Sequence, residues 1–161
     1  MDIQVGQLEV IVYIPIRCSK HPWDLSVRSV MECPYYLCLK NEDRSSYDTY
    51  MDLIWKRPEA RSQCRPYDDF MRQVDGIRQD GGYRSDKAAN EPMTIYKGTR
   101  WLKDGHHRAA VICALFDPMT EVPVEEFDGE WPPDLDQCAN PCEHYRKVAS
   151  PDDGGQGTGA N

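Results

Sequence analysis

The run Leu102-Lys103-Asp104-Gly105-His106-His107-Arg108-Ala109-Ala110 decides how this chain of 161 residues is read. Upstream, Met93-Thr94-Ile95-Tyr96 has the alternation of a strand, Lys97-Gly98-Thr99 of a turn, and Arg100-Trp101-Leu102 of the returning strand. Asp104-Gly105 breaks that pattern. Beyond it, Ala109, Ala110, Ile112, Cys113, Ala114, Leu115 and Phe116 predict a strongly apolar helix that Pro118 ends. Val122-Pro123-Val124-Glu125-Glu126-Phe127 then predicts a final strand. Hairpin, glycine turn, helix and strand in this order predict an α+β domain, a small mixed sheet flanked by helices.

The same run is a candidate anion site. A glycine between strand and helix lets backbone approach a ligand closely. The helix start offers N–H groups without intrahelical partners and a partial positive charge. Arg108 adds a planar fork matched to phosphate oxygens, and His106 and His107 add donors that become cationic beside a phosphate. Cations at a helix N-terminus oppose its dipole, a cost that a bound anion removes. The residues also fit a plainer description, with Asp104 an N-cap, Gly105 a turn residue and His-His-Arg exposed surface.

Working back toward the N-terminus, Gly81 to Glu91 is polar and turn-rich and reads as a loop. A helix starting near Pro66 carries the stripe Tyr67, Phe70, Met71, Val74 and Ile77, and Gly81-Gly82 ends it. Another, capped by Ser45 or Ser46 and stopped by Pro58, carries Tyr47, Tyr50, Met51, Ile54 and Trp55. Both aromatic stripes are expected in the core. Residues 24–39 are ambiguous, Leu25, Val27, Val30 and Met31 partly fitting a helix that Pro34 would end, and Leu8 to Ile16 reads as a strand. Residues 1–128 are expected to form the domain, 129–149 an extension, and 150–161, rich in glycine, a disordered tail.

Composition narrows the function classes. A net charge of −8 argues against a protein devoted to gripping DNA, since neutralising phosphates supplies most of that affinity. Lys56, Arg57, Arg61 and Arg65 lie close together, and are expected to be a solvated helix end and loop. No segment approaches the ~18 apolar residues of a membrane span, and no secretory signal is apparent, so a cytoplasmic protein is expected. The seven cysteines are odd in number and irregular in spacing, which predicts reduced thiols. Cys138, Cys142 and His144 offer three zinc ligands but no evident fourth. Cys113 is expected in the core.

Leu102 to Ala110, with its apolar helix and Val-Pro-Val strand, resembles the (I/L)xDGHHRxA signature of the ParB/sulfiredoxin superfamily. The helix ending in Gly-Gly-Tyr, followed by Pro92-Met93-Thr94-Ile95, is similar to the family's segment before that loop, so the likeness covers residues 67–127. Sulfiredoxins carry a reactive cysteine where this chain has His106, so the resemblance does not extend to that activity. Chromosome-partition members carry a Gly-Glu-Arg-Arg type of loop followed by a DNA-binding domain, and this chain departs from both features. The Asp-Gly-His-His-Arg form is that of ParB-like free-serine kinases, and related forms occur in glycan-biosynthesis gene sets.

That resemblance implies a nucleotide-binding protein that transfers phosphate from ATP or ADP, with Mg²⁺, to a small hydroxyl-bearing substrate. It implies that Gly105, His106, His107 and Arg108 hold phosphates, and that Asp104 serves the metal or the acceptor hydroxyl. The kinases' catalytic glutamate, in a Pro-His-Glu motif, has no clear counterpart. Asp24, in His21-Pro22-Trp23-Asp24, is one candidate base; Glu42 and Asp43 are others. Two alternatives stay open: a non-catalytic nucleotide- or partner-binding regulator, and a ParB-like nuclease or DNA-associated protein.

Overall fold

A helix apolar on every side has to sit inside a protein, and the helix after Gly105 does so. The computed structural model describes residues 1–15, 23–55, 64–84, 86 and 92–129, with the side chains of 13–15 and 23–25 left aside. In chain order these form β1 (Asp2–Gln4), β2 (Glu9–Pro15), β3 (Trp23–Ser29), α1 (Pro34–Asn41), α2 (Arg44–Trp55) and α3 (Tyr67–Gln79). Then come β4 (Met93–Tyr96), β5 (Leu102–Asp104), α4 (His106–Leu115) and β6 (Glu121–Phe127). Ala109, Ala110, Val111, Ile112 and Cys113 of α4 are all buried. Helices α1 and α3 pack directly on it.

The expected mixed α+β class holds. One sheet has the order β1-β6-β4-β5. In it β4 and β6 run parallel, with Met93 opposite Val124, while β1 and β5 are antiparallel to their neighbours. The crossover from β4 to β6 contains α4, which is how a parallel pair joined through a helix packs that helix on its sheet. Strands β2 and β3 form a separate antiparallel hairpin, in register from Glu9–Ser29 to Pro15–Trp23. A single parallel bridge, Glu9 to Trp101, links the hairpin to the larger sheet, and the Glu9 N–H donates to the Arg100 carbonyl at 2.8 Å.

Several expectations need correcting. Residues 23–29, ambiguous in the sequence, are strand, because β2 supplies a full set of pairing partners that outweighs a partial helical stripe. Pro34 opens α1 instead of closing a helix, since its missing N–H costs nothing in the first turn. Helix α2 is capped by Asp43, whose carboxylate accepts from the Ser46 N–H at 3.0 Å and the Ser46 hydroxyl at 2.6 Å. The returning strand lies at 102–104, and α4 stops at Leu115, before Pro118 is reached. Within its stripe Trp55 is exposed and Met51 half-buried, whereas Tyr47, Tyr50 and Ile54 are buried. Strand β1 was not apparent, being three residues that gain their partners only from β6.

Phe70 and Val74 of α3 are fully buried, as their stripe requires. Among the described residues Cys33, Cys38, Cys64 and Cys113 are not in disulfides, and burial pushes the Cys113 thiol up to about 12. Among the described residues no helix is long and apolar enough to cross a membrane.

Candidate functional site

The turn that starts α4 is built for glycine. Gly105 has φ +103°, and a Cβ there would lie 2.7 Å from the Met93 Cγ. The Asp104 carboxylate accepts the Gly105 N–H at 3.0 Å, and the Gly105 carbonyl accepts the first helical bond from Ala109 at 2.9 Å. Asp104 thus shapes the turn while its side chain stays at an exposed position. Helix α4 begins at His106, so His106, His107 and Arg108 occupy its first turn.

The three side chains part company there. His106 is 8% exposed; burial lowers its pKa to about 4, against the opposing pull of Asp104 and a hydrogen bond to the Leu102 backbone. His107 lies between aromatic rings, its centroid 4.2 Å from that of Tyr35 and 5.4 Å from that of Phe70. Burial, reinforced by the Arg65 cation and by His106, lowers its pKa to about 3. Its Nε2 is sealed from solvent with no hydrogen-bond partner among the described residues. Tyr47 stacks on Phe70 at 5.1 Å and donates its hydroxyl to the Arg65 carbonyl at 2.6 Å, closing the cluster. Both imidazoles are therefore neutral at pH 7, and His107 ties the start of α4 to α1 and α3 while His106 is held beside β5.

Arg108 faces elsewhere. It lines a cleft of about 130 Å³ whose other polar residues are Asp80, Tyr83 and Arg84. Ile77, Met93, Ile112, Val122 and Pro123 give the cleft its apolar wall. Arg108 and Asp2 both act on Tyr83, whose phenol burial pushes up; Asp2 adds to that rise and Arg108 opposes it. The backbone closes the cleft at Gly82, φ +113°, where a Cβ would sit 3.2 Å from the Phe116 ring. An arginine and an apolar wall together can hold a ligand with an anionic end and a flat or aliphatic end.

The candidate bases are not gathered at this cleft. Glu42 is exposed, in the left-handed region at φ +51°, just past the end of α1. About 10 Å of helix axis separates it from Tyr35, the residue of α1 that meets His107. Asp43 is occupied as the cap of α2. Asp24 stands opposite Ile14 in the β2–β3 hairpin, and its side chain falls outside the described residues. So do Lys56, Arg57, Arg61, Cys138, Cys142 and His144. No group of three or more His, Cys, Asp or Glu suited to a metal occurs among the described residues. Asp104 offers one exposed carboxylate, which fits a Mg²⁺ held mainly by phosphate oxygens and water but not an all-protein cage.

Asp80, Tyr83 and Arg84 did not stand out from the sequence. They follow a helix stop in a polar stretch without periodicity, and the one available signal was the Gly81-Gly82 pair that turns the chain toward α4. Comparison with family models, with curated proteins and with solved structures finds no match to this chain.

Proposed function

We propose that this chain is a nucleotide-binding protein with a ParB/sulfiredoxin-like fold, and that it transfers phosphate from ATP or ADP to a small hydroxyl acceptor. The observation that carries the reading is Arg108: it stands in the first turn of a buried helix, after a glycine turn, and lines a cleft with an apolar wall. The guanidinium and the first N–H groups of α4 would hold phosphate oxygens, and the base would lie against Ile77, Met93 and Ile112. His107 supports the site by fixing the start of α4 against Tyr35 and Phe70. Asp104 would add a carboxylate to a Mg²⁺ shared with the phosphates, and that ion would neutralise charge developing on them. Catalysis in such a site comes from positioning and charge neutralisation.

A second reading, nucleotide binding without turnover, is favoured by one observation: Asp43 caps a helix and Glu42 lies past the far end of α1. Release of ADP from Mg·ATP, or of AMP from Mg·ADP, should be followed with the full chain over a panel of small polyols, sugars and hydroxy amino acids. Acceptor-dependent release that Asp104→Asn abolishes supports transfer. Nucleotide binding with no release on any acceptor supports the non-catalytic reading.

A further inference from the structure

Helices α1 and α2 form a hairpin joined through Glu42 and Asp43, and along its exposed side runs a groove of about 590 Å³. Pro34 and Leu37 of α1, with Tyr50 and Leu53 of α2, make the apolar floor. Each pair is three residues apart, so each helix presents two apolar side chains one above the other on the groove side. Leu37 is 40% exposed there. Single exposed leucines are ordinary, whereas apolar side chains gathered along one groove mark a docking surface. Two helices with an apolar floor between them are the receiving half of helix-in-groove recognition.

The charges around this floor are of one sign. Asp43 and Asp52 line the groove, and no described lysine or arginine does. Lys40, in the last turn of α1, lies outside the lining. Arg44, the first residue of α2, is turned toward α3: it pairs with Asp48 at 3.3 Å and lies 4.5 Å from the centre of the Tyr67 ring. Two donors from Ser46 hold the Asp43 carboxyl below the usual carboxylate range, so it is charged at neutral pH. Asp43 and Asp52 stand nine residues apart in sequence, about 13.5 Å along the axis of α2. A helix laid in the groove therefore meets a carboxylate near each end, roughly two and a half turns apart.

We propose that the groove between α1 and α2 docks a cationic amphipathic helix of a partner protein. The apolar stripe of that helix lies on Leu37, Tyr50 and Leu53, and lysines or arginines about two to three turns apart meet Asp43 and Asp52. Apolar contact supplies most of the affinity, while the paired charges fix the orientation and reject acidic helices. The groove shares no lining residue with the cleft beside Arg108, so the docking does not depend on the nucleotide reading.

The probe is a synthetic helical peptide of about four turns, with a leucine stripe at i, i+3, i+4 and i+7 flanked by lysines; its control carries glutamates in place of the lysines. Fluorescence anisotropy measures binding of each peptide to the full chain, and to Leu37→Glu and Asp52→Lys checked for native circular dichroism spectra. The proposal expects saturable one-to-one binding of the lysine peptide, roughly tenfold or more tighter than the glutamate peptide and weakened to a similar degree by either substitution. Asp52→Lys should also improve binding of the glutamate peptide, a gain that a damaged fold does not produce. Absence of binding by the unaltered protein, or lysine-peptide binding that both variants retain, overturns the proposal. So does self-association of the full chain in sedimentation that Leu37→Glu abolishes, because it assigns the groove to a second copy.

Discussion

Acidification from pH 7.5 to 5.5 should cost this protein about 3 kcal/mol through His106 and His107 alone. Their pKa values fall from 6.5 to about 4 and about 3 on folding, burial being the largest cause for each. A histidine held neutral in the folded state takes up its proton more readily when unfolded. Stability is therefore full above about pH 6.5, is lost as pH falls below it, and levels off below the folded values. At pH 5.5 the unfolded chain is one unit below its own histidine pKa, which amounts to about 1.5 kcal/mol for each residue. For His107 the cost has a visible origin: a charged ring would sit between Tyr35 and Phe70, facing Arg65, with an unsatisfied Nε2. Urea unfolding at pH 7.5, 6.5 and 5.5 measures the loss. With a slope of roughly 1–3 kcal/mol per molar urea, the midpoint should fall by about 1–3 M. His107→Phe keeps an aromatic in the cluster and should remove about half of the pH-dependent loss. A midpoint that does not move between pH 7.5 and 5.5, or a His107→Phe variant with the full loss, would refute the burial argument.

Three further outcomes follow from the packing. Gly105→Ala should lower stability by roughly 2 kcal/mol, because alanine must adopt φ +103° and push Met93 aside; thermal unfolding should register it as about 4–8 °C. Phe70→Ala should cost about 3–5 kcal/mol in urea unfolding, since it empties a fully buried site between Tyr47, Tyr35 and His107. Asp43→Ala should lower the melting temperature through loss of the α2 cap yet leave nucleotide affinity unchanged; a lost phosphotransfer activity in a folded Asp43→Ala protein would restore it as a base.

Much of the framework was legible because it rests on local rules. Glycine at 105 and the all-apolar run after it required a turn into a buried helix, and the alternation at 93–96 and 122–127 required strands. What local rules missed was decided by distant partners. Residues 23–29 are strand because β2 lies alongside, and Asp2–Gln4 because β6 does. The motif's three side chains looked equivalent in sequence; only tertiary packing, with His107 between α1 and α3 and His106 beside β5, separates two buried imidazoles from the arginine that lines the cleft. Asp80, Tyr83 and Arg84 join that arginine through the turn at Gly81-Gly82, a tertiary placement that spacing alone does not encode.

The central claim is that Arg108 and the start of α4 hold the phosphates of a nucleotide. Calorimetric titration of Mg·ATP and Mg·ADP into the full chain and into Arg108→Ala, at pH 7.5 and low salt, tests it most directly. The account predicts saturable binding by the unaltered protein, weakened at least tenfold in Arg108→Ala while both proteins unfold at similar temperatures. Absence of binding by the unaltered protein, or equal affinity in the two, would contradict it.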